Sequence, residues 1–371
     1  MFFAMRIGVN LLFLEPGEVG GSEALLTNLV RAVGTCGHEL VVVAMQGFRA
    51  AHPDIETVAD VVEAPWSSNL RPLRIAAEHT WLAAMARRRR LDVVHHGVGT
   101  APFVKVLPTV VTIHDIQYRH YPEYFHPLKL AWLRANVPYV VHHSEVITVP
   151  SRFVREDVMA AFDADPEKVA VVPFGSEGLL APSGGAEAVR ERHGLERPFF
   201  LFPGRSYPHK NHRFLVEAWA PVAGRADLVF TGPAGPRDRE IDETAARLGV
   251  GKGLRRLGLV SRGDLAGLYE SAEALAWPSR FEGFGAPVLE AMSAGCPVVA
   301  SAATAIPEVV GDAGLLLSPD DTAGWTAALD RILSDPGLRE DLVRRGRARA
   351  AEFSWKRSGS LQVAAYERAV A

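Results

Sequence analysis

The chain has 371 residues, of which 48% are apolar and 22% charged, with a formal net charge of −3. That length suggests two domains, and that apolar content fills two ordinary cores and argues against wholesale disorder. The near-balanced charge gives no reason to expect a nucleic-acid partner.

Two cysteines, Cys36 and Cys296, are too few for a disulfide framework, and Cys296 reads as a small core residue. The apolar N-terminus MFFAMRIGVNLLFLEPG is interrupted by Arg6 and Asn10 and lacks a basic leader and an A-x-A site. It reads as a first strand. No run of about 20 apolar residues exists, so no membrane-spanning helix is expected. Together these features point to the cytoplasm.

In chain order, strands are expected at 6–12, 39–44, 92–95, 110–113, 145–149 and 168–172. A helix is expected at 22–33, and Ser151 is placed to cap another from about Arg152. Residues 180–198 read as a linker plus a helix. A second alternation follows, with strands at 199–202, 227–231, 255–258, 274–277 and 297–300. Helices are expected at 211–220, 238–248, 262–270, 286–294, 322–333 and 338–351. The strands are Val/Leu/Phe runs without clean alternation, as parallel strands covered on both faces should be. The expected architecture is α/β: two doubly wound Rossmann-like domains facing a central cleft. The expected bounds are 1–180 and 181–354. Ligands of such sheets bind outside the carboxyl ends of the strands, so the loops after strands carry the chemistry.

The most informative loop is FEGFGAPVLEAMSAGCPVVAS, residues 281–301. Glycines let the backbone approach a ligand, and Pro287 suits the first turn of a helix beginning near Ala286. The N–H groups and dipole at that helix start favour an anion. Glu282 and Glu290 are acceptors suited to hydroxyl groups. An anion flanked by two polyhydroxy parts describes a sugar nucleotide. The plain alternative is a strand–loop–helix with incidental surface glutamates. A second loop, FPGRSYPHKNHRF, places Gly204, Arg205 and Lys210 after the strand at 199–202. Arg offers a planar fork and Lys a point charge, both suited to phosphate oxygens.

These stretches resemble the retaining glycosyltransferase family 4, whose fold is GT-B. Glu282-Gly-Phe-Gly-Ala-Pro-Val-Leu-Glu290 looks like its E-x7-E signature, and Arg205 and Lys210-Asn211 match its phosphate-clamping positions. Gly20-Gly21-Ser22-Glu23 matches its first glycine loop. Val172-Pro173-Phe174-Gly175 resembles a further stretch, with Phe174 where Asn is usual. Phe353-Ser354-Trp355 looks like the start of a C-terminal helix (355–371) that packs back on the N-terminal domain. The resemblance makes 1–180 the acceptor-binding domain and 181–354 the donor-binding domain.

The resemblance implies roles for individual residues. Glu282 would meet donor-sugar hydroxyls, and Gly283, Phe284, Gly285 and Ala286 would offer backbone N–H groups to sugar and phosphates. Glu290 would bind the ribose, and Leu259 and Val260 would lie near the base. Arg205 and Lys210, with Gly204 beside them, would hold the pyrophosphate. Gly20 and Gly21 would approach the phosphates from the other domain. His114 would lie beside the reacting sugar, with Asp115 as an acceptor-side candidate. A structural strand-end role is the alternative for both. The H-D-hydrophobic-Q stretch at 114–117 suggests a mannosyl- or rhamnosyl-type member.

Other features read as structure. Asp163-Ala164-Asp165 has a metal-binding D-x-D spacing but lies between a helix and a strand beside Pro166, as a turn would. His95-His96 reads as core or cleft wall, and Tyr118, Tyr121 and Tyr124 as aromatic packing. Four consecutive arginines at 87–90 suit a helix C-terminus. They could also bind an anionic membrane bearing a lipid-linked acceptor, placing the protein peripherally on its inner face.

The expected activity is transfer of a hexose from a GDP- or UDP-type nucleotide diphosphate sugar to an acceptor hydroxyl, with retention. The acceptor is a glycan, a lipid-linked molecule or a small molecule of cell-surface glycan synthesis. Neither metal nor cofactor is expected, because basic residues and a helix dipole can stabilise the departing pyrophosphate. The alternatives are a sugar-nucleotide-binding protein without turnover, or a glycosidase using Glu282 and Glu290 as its carboxylate pair. No G-x-G-x-x-G follows a first strand, which disfavours a dinucleotide oxidoreductase.

Overall fold

A computed structural model describes residues 4–15, 21–65 and 76–371. The chain forms two compact units, one of Met1–Gly175 with Ser354–Ala371, the other of Ser176–Phe353.

The first unit is a seven-stranded parallel sheet. Its strands are β1 (Arg6–Leu11), β2 (Glu39–Ala44), β3 (Asp60–Glu63), β4 (Val93–His96), β5 (Thr109–Thr112), β6 (Val146–Val149) and β7 (Val169–Val171). Their spatial order is β3-β2-β1-β4-β5-β6-β7, which reverses between β1 and β4. Runs such as ELVVVA and VITV are buried almost throughout, because helices cover both faces.

The C-terminal helix, Trp355–Val370, belongs to this unit. Ser354 caps it by accepting the Arg357 N–H, and Ser358 Oγ donates to the Pro173 carbonyl at 2.6 Å. A Cβ on Gly359 would lie 3.0 Å from Ala32, so the helix packs closely against Gly21–Gly34. Beneath it runs a buried polar chain. Tyr366 Oη meets His95 Nδ1 at 2.8 Å, His95 Nε2 meets Thr112 Oγ1 at 2.7 Å, and Thr112 meets Thr148 at 2.7 Å. His96 meets Asn10 at 3.0 Å. Both histidines are core residues, in line with the sequence reading.

The second unit is a six-stranded parallel sheet of order β10-β9-β8-β11-β12-β13. Its strands are β8 (Phe199–Pro203), β9 (Asp227–Thr231), β10 (Leu254–Arg256), β11 (Ala274–Trp277), β12 (Val298–Ser301) and β13 (Leu315–Leu317). Order reverses between β8 and β11, so the helices after these two strands leave toward opposite faces. A crevice opens at such a switch point.

The structure adds elements that the sequence reading lacked. Strands β3 and β13 are edge strands, short and paired on one side only. Helix Pro127–His143 contains Pro138 and buries only Asn136, Val137, Val140 and Val141, too narrow a stripe to stand out as periodicity. The strand expected at 255–258 ends at Arg256, and Gly258 turns away with φ 67°. Asp163 ends helix Arg152–Phe162 in a left-handed conformation and Asp165 caps the next turn, so the D-x-D sequence serves as a connection. Among the described residues, no helix is long and apolar enough to cross a membrane.

The buried imidazole of His95 has a consequence for stability. Burial, reinforced by His96 and His114, lowers its pKa from 6.5 to about 3. The folded value lies below the unfolded one, so the unfolded chain binds this proton more readily. The stability is complete above about pH 6.5 and declines as pH falls toward about 3. Each such group steepens the decline by up to about 1.4 kcal/mol per pH unit. His95→Gln is expected to flatten the fall in denaturant midpoint between about pH 7 and about pH 5. An unchanged slope would count against a neutral His95.

Candidate active site

The loops after β8 and β11 meet at the switch point. From β11 the chain passes Pro278 and Ser279 to Phe281, Glu282 and Gly283, all before helix Ala286–Ala294. Gly285 caps that helix with φ 99°, a conformation that a side chain resists, and Pro287 occupies its first turn. From β8 the chain passes Gly204 and Arg205 to a turn at Pro208–Lys210, then enters helix His212–Trp219 through Asn211 at φ 63°. The helix therefore begins one residue later than expected, and the Asn211 amide donates to the Pro319 carbonyl at 3.0 Å. The Arg280 N–H donates to the His209 carbonyl at 2.7 Å and stitches the two loops together.

That stitch brings Lys210 to Glu282. Lys210 Nζ donates to Glu282 Oε1 at 2.7 Å, with both side chains mostly shielded from solvent. The ammonium also lies 4.5 Å from the centre of the Trp277 ring. Trp277 ends β11, is fully buried, and stacks on Phe202 at 4.6 Å. Lys210 is thus held between a carboxylate and an aromatic face.

Arg205 stands apart from this pair. It is exposed, its Nε donates to the Ala234 carbonyl at 2.8 Å, and its guanidinium carbon lies 5.6 Å over the Tyr207 ring. Glycines allow the neighbouring loops to pass. A Cβ on Gly232, after β9, would lie 3.0 Å from the backbone of Gly204. Leu259 and Val260 follow β10, with Leu259 78% exposed.

Glu290 has a different environment from Glu282. It is 7% exposed, accepts a hydrogen bond from Tyr269 Oη at 3.1 Å and pairs with Arg262 at 3.2 Å. Burial pushes its carboxyl above the usual range, against the opposing pull of Arg262 and Tyr269. Phe284 is buried, with its ring 5.8 Å from Phe353, and Gly283 and Gly285 are buried beside it. Ala286 opens the helix, half-buried.

In the first unit, His114 follows β5 and is half-buried. Its Nε2–H donates to the Gly97 carbonyl at 2.9 Å, which fixes the tautomer and leaves Nδ1 as the ring's acceptor. Burial lowers its pKa, with the Gly97 bond and Asp115 opposing. Phe174 lies 5.9 Å from its ring and 6.4 Å from Trp355. Asp115 is exposed and accepts the Gln117 N–H at 2.9 Å, closing a turn. Gly21 begins the first helix, and Gly20 lies outside the described residues.

Four residues of the second unit's site were missed in the sequence: Trp277, Arg262, Tyr269 and Thr304. Trp277, as the last residue of a strand before a motif loop, carried a positional signal. The others are brought in by packing. Thr304 Oγ1 accepts the Glu282 N–H at 3.0 Å from the loop after β12. Among the described residues, no three His, Cys, Asp or Glu side chains form a metal-binding cluster.

Comparison with known proteins bears on the family and the fold. Residues 19–176 match the family described as Glycosyltransferase Family 4, and residues 197–335 match the glycosyl transferases group 1. The O-antigen chain mannosyltransferase B of Escherichia coli is 32% identical over 80% of this chain and 81% of its own. The MMP alpha-(1->4)-mannosyltransferase of Mycolicibacterium hassiacum is 31% identical over 99% of each chain. Among solved structures, Anabaena HepE in complex with UDP and glucose has a TM-score of 0.75 at 19% identity, covering 97% of this chain and 98% of its own. At that identity the likeness carries the fold alone. With two parallel α/β sheets, each reversing its strand order once, and with relatives matched over most of its length, the chain belongs to the GT-B glycosyltransferases of family 4.

Proposed function

We propose that the protein transfers a hexose, mannose by preference, from a GDP- or UDP-type nucleotide sugar to an acceptor hydroxyl in glycan synthesis, with retention. The observation that carries this reading is the Lys210–Glu282 pair at the β8/β11 switch point, beside the start of helix Ala286–Ala294. A cation and a hydroxyl acceptor next to a helix N-terminus suit the junction between a pyrophosphate and a sugar. Two relatives are named as mannosyltransferases, and a structural neighbour holds UDP and glucose.

In this reading the second unit binds the donor and the first supplies the acceptor side. Glu282 accepts hydrogen bonds from sugar hydroxyls, while N–H groups from Gly283 to Ala286 face sugar and phosphates. Lys210, Arg205 and the helix dipole stabilise charge on the departing pyrophosphate, a task that basic groups perform without a metal. A phosphate oxygen of the leaving group takes the acceptor's proton. His114, oriented by its bond to the Gly97 carbonyl, offers Nδ1 as an acceptor for a ligand hydroxyl, and Asp115 is the acceptor-side carboxylate of the first unit. Leu259 and Val260 flank the base, with Gly204 near the phosphates. For a lipid-linked acceptor, exposed Arg87 and Arg88 at the end of helix Trp81–Arg89 would hold the protein on anionic lipid. The burial of Glu290 disfavours the glycosidase alternative, because a carboxylate held by Tyr269 and Arg262 is poorly placed to work across a sugar from Glu282.

Titration of UDP, GDP, TDP and ADP by calorimetry, without divalent metal, tests the donor site. One nucleotide is expected to bind well and to lose affinity in Lys210→Ala. That variant should also lose about 10²–10³-fold in kcat while keeping its fold. Normal turnover in Lys210→Ala would remove its assigned role, and no binding of any of the four would remove the donor site.

Glu290→Ala separates ribose binding from packing. It should weaken the nucleotide by about ten-fold or more if a ribose hydroxyl reaches this carboxylate. It should also cost about 1–3 kcal/mol of stability, because the buried Tyr269 hydroxyl loses its acceptor. Unchanged affinity in the folded variant would contradict the ribose contact.

A further inference from the structure

We propose that Thr304 is a positioning residue that fixes Glu282 for the donor's sugar, and that its unfavourable backbone conformation is kept for that purpose. The inference rests on the reading above, in which Glu282 meets sugar hydroxyls.

The starting point is a tight turn, closed by the Ile306 N–H donating to the Ala303 carbonyl at 3.2 Å, whose first central residue must hold positive φ and is a threonine where glycine is the usual choice. Among the described residues, four that are not glycine hold positive φ: Arg90, Asp163, Asn211 and Thr304. Arg90 and Asp163 end helices, where a left-handed residue is routine. Asn211 is of a type that tolerates this region. Thr304, at φ 54°, is β-branched and ends no helix. Such a residue is a genuine outlier in this region, and backbone strain of this kind persists only where the surroundings hold it.

What the strain secures is visible in the hydrogen bonds. Thr304 Oγ1 accepts the Glu282 N–H at 3.0 Å, and the next N–H, of Ala305, donates to the Glu282 carbonyl at 3.4 Å. Two consecutive residues therefore grip both sides of one backbone position. The grip is anchored, because Ala305 and Ile306 are fully buried. On the opposite flank, the Arg280 N–H is bound to the His209 carbonyl, and Ser301 Oγ donates to the Ser279 carbonyl. The segment carrying Glu282 is held between the loops after β8 and β12. Rotating Thr304 to negative φ would re-aim its hydroxyl and the following N–H together. Glu282 would then keep its partner Lys210 but lose the backbone that aims it.

Arg205 and Glu290 touch neither Thr304 nor Glu282, and Lys210 keeps its seat over the Trp277 ring, so the expected defect falls chiefly on the sugar. The test compares calorimetric affinities for an intact nucleotide sugar and its bare diphosphate, GDP-mannose with GDP and UDP-glucose with UDP. The variants are Thr304→Val, which keeps the branched shape without an acceptor, and Thr304→Ser, which keeps the hydroxyl. Thermal melting confirms that both fold. Thr304→Val should weaken the nucleotide sugar by about ten-fold and change the bare diphosphate by less than about two-fold. Thr304→Ser should hold both near the wild type. Equal losses for both ligands, no loss in Thr304→Val, or failure of Thr304→Ser to restore the ratio would each overturn the positioning role. Absence of binding by the wild-type protein would instead overturn the donor site itself.

Discussion

The pairing of β8 with β11 is the constraint on which the candidate site depends. Ala274 lies opposite Phe200 and Leu275 opposite Leu201, so two strands far apart in the chain end side by side. Because the sheet is parallel, both carboxyl ends fall on one edge. Because strand order reverses there, the helices that follow diverge and leave a crevice. Lys210 arrives from one loop and Glu282 from the other, and the Arg280–His209 hydrogen bond sets their relative height. The loop after β12 adds Thr304 to the same edge.

The charges at this edge are arranged by environment. Glu282 answers Lys210 directly, and the lysine rests on the ring of Trp277, over a dry floor that includes Phe202, His212 and Phe230. Neither member of a shielded pair can lose its partner cheaply, because an unpaired charge in such surroundings is far less well solvated than in water. A ligand that takes Lys210 must therefore offer Glu282 something in return, and sugar hydroxyls can. Glu290 has its partners within the scaffold, where Tyr269 and Arg262 reach it from the preceding helix. The two glutamates of one short motif thus face different chemistry.

The first unit uses buried polar contacts for a different end. The chain from Tyr366 through His95 to Thr112 and Thr148 ties the C-terminal helix to β4, β5 and β6. Each member finds a partner, which buried polar groups require. A helix joined in this way has one seating on the sheet. His114, one step beyond β5, takes its orientation from Gly97 and packs beside Phe174, which in turn lies against Trp355 at the start of that helix. Phe174 contributes ring packing between His114 and Trp355.

The amino-acid sequence by itself determined the alternation of strands and helices, because fully covered parallel strands must be apolar runs and helix caps are local. It also marked Lys210, Glu282 and the helix start at Ala286, because Gly, Pro and charged residues at strand ends leave a local signature. It did not show β3 or β13, since strands of four and three residues are too short for a pattern to separate them from a loop or helix end, nor helix Pro127–His143, whose buried stripe is narrow and interrupted by Pro138. Only the tertiary structure decided that Lys210 and Glu282 touch, that Glu290 is enclosed, and that Thr304 holds the loop. Those facts depend on which strands lie side by side. Strand order is fixed by the packing of the whole sheet, and no single stretch of residues records it.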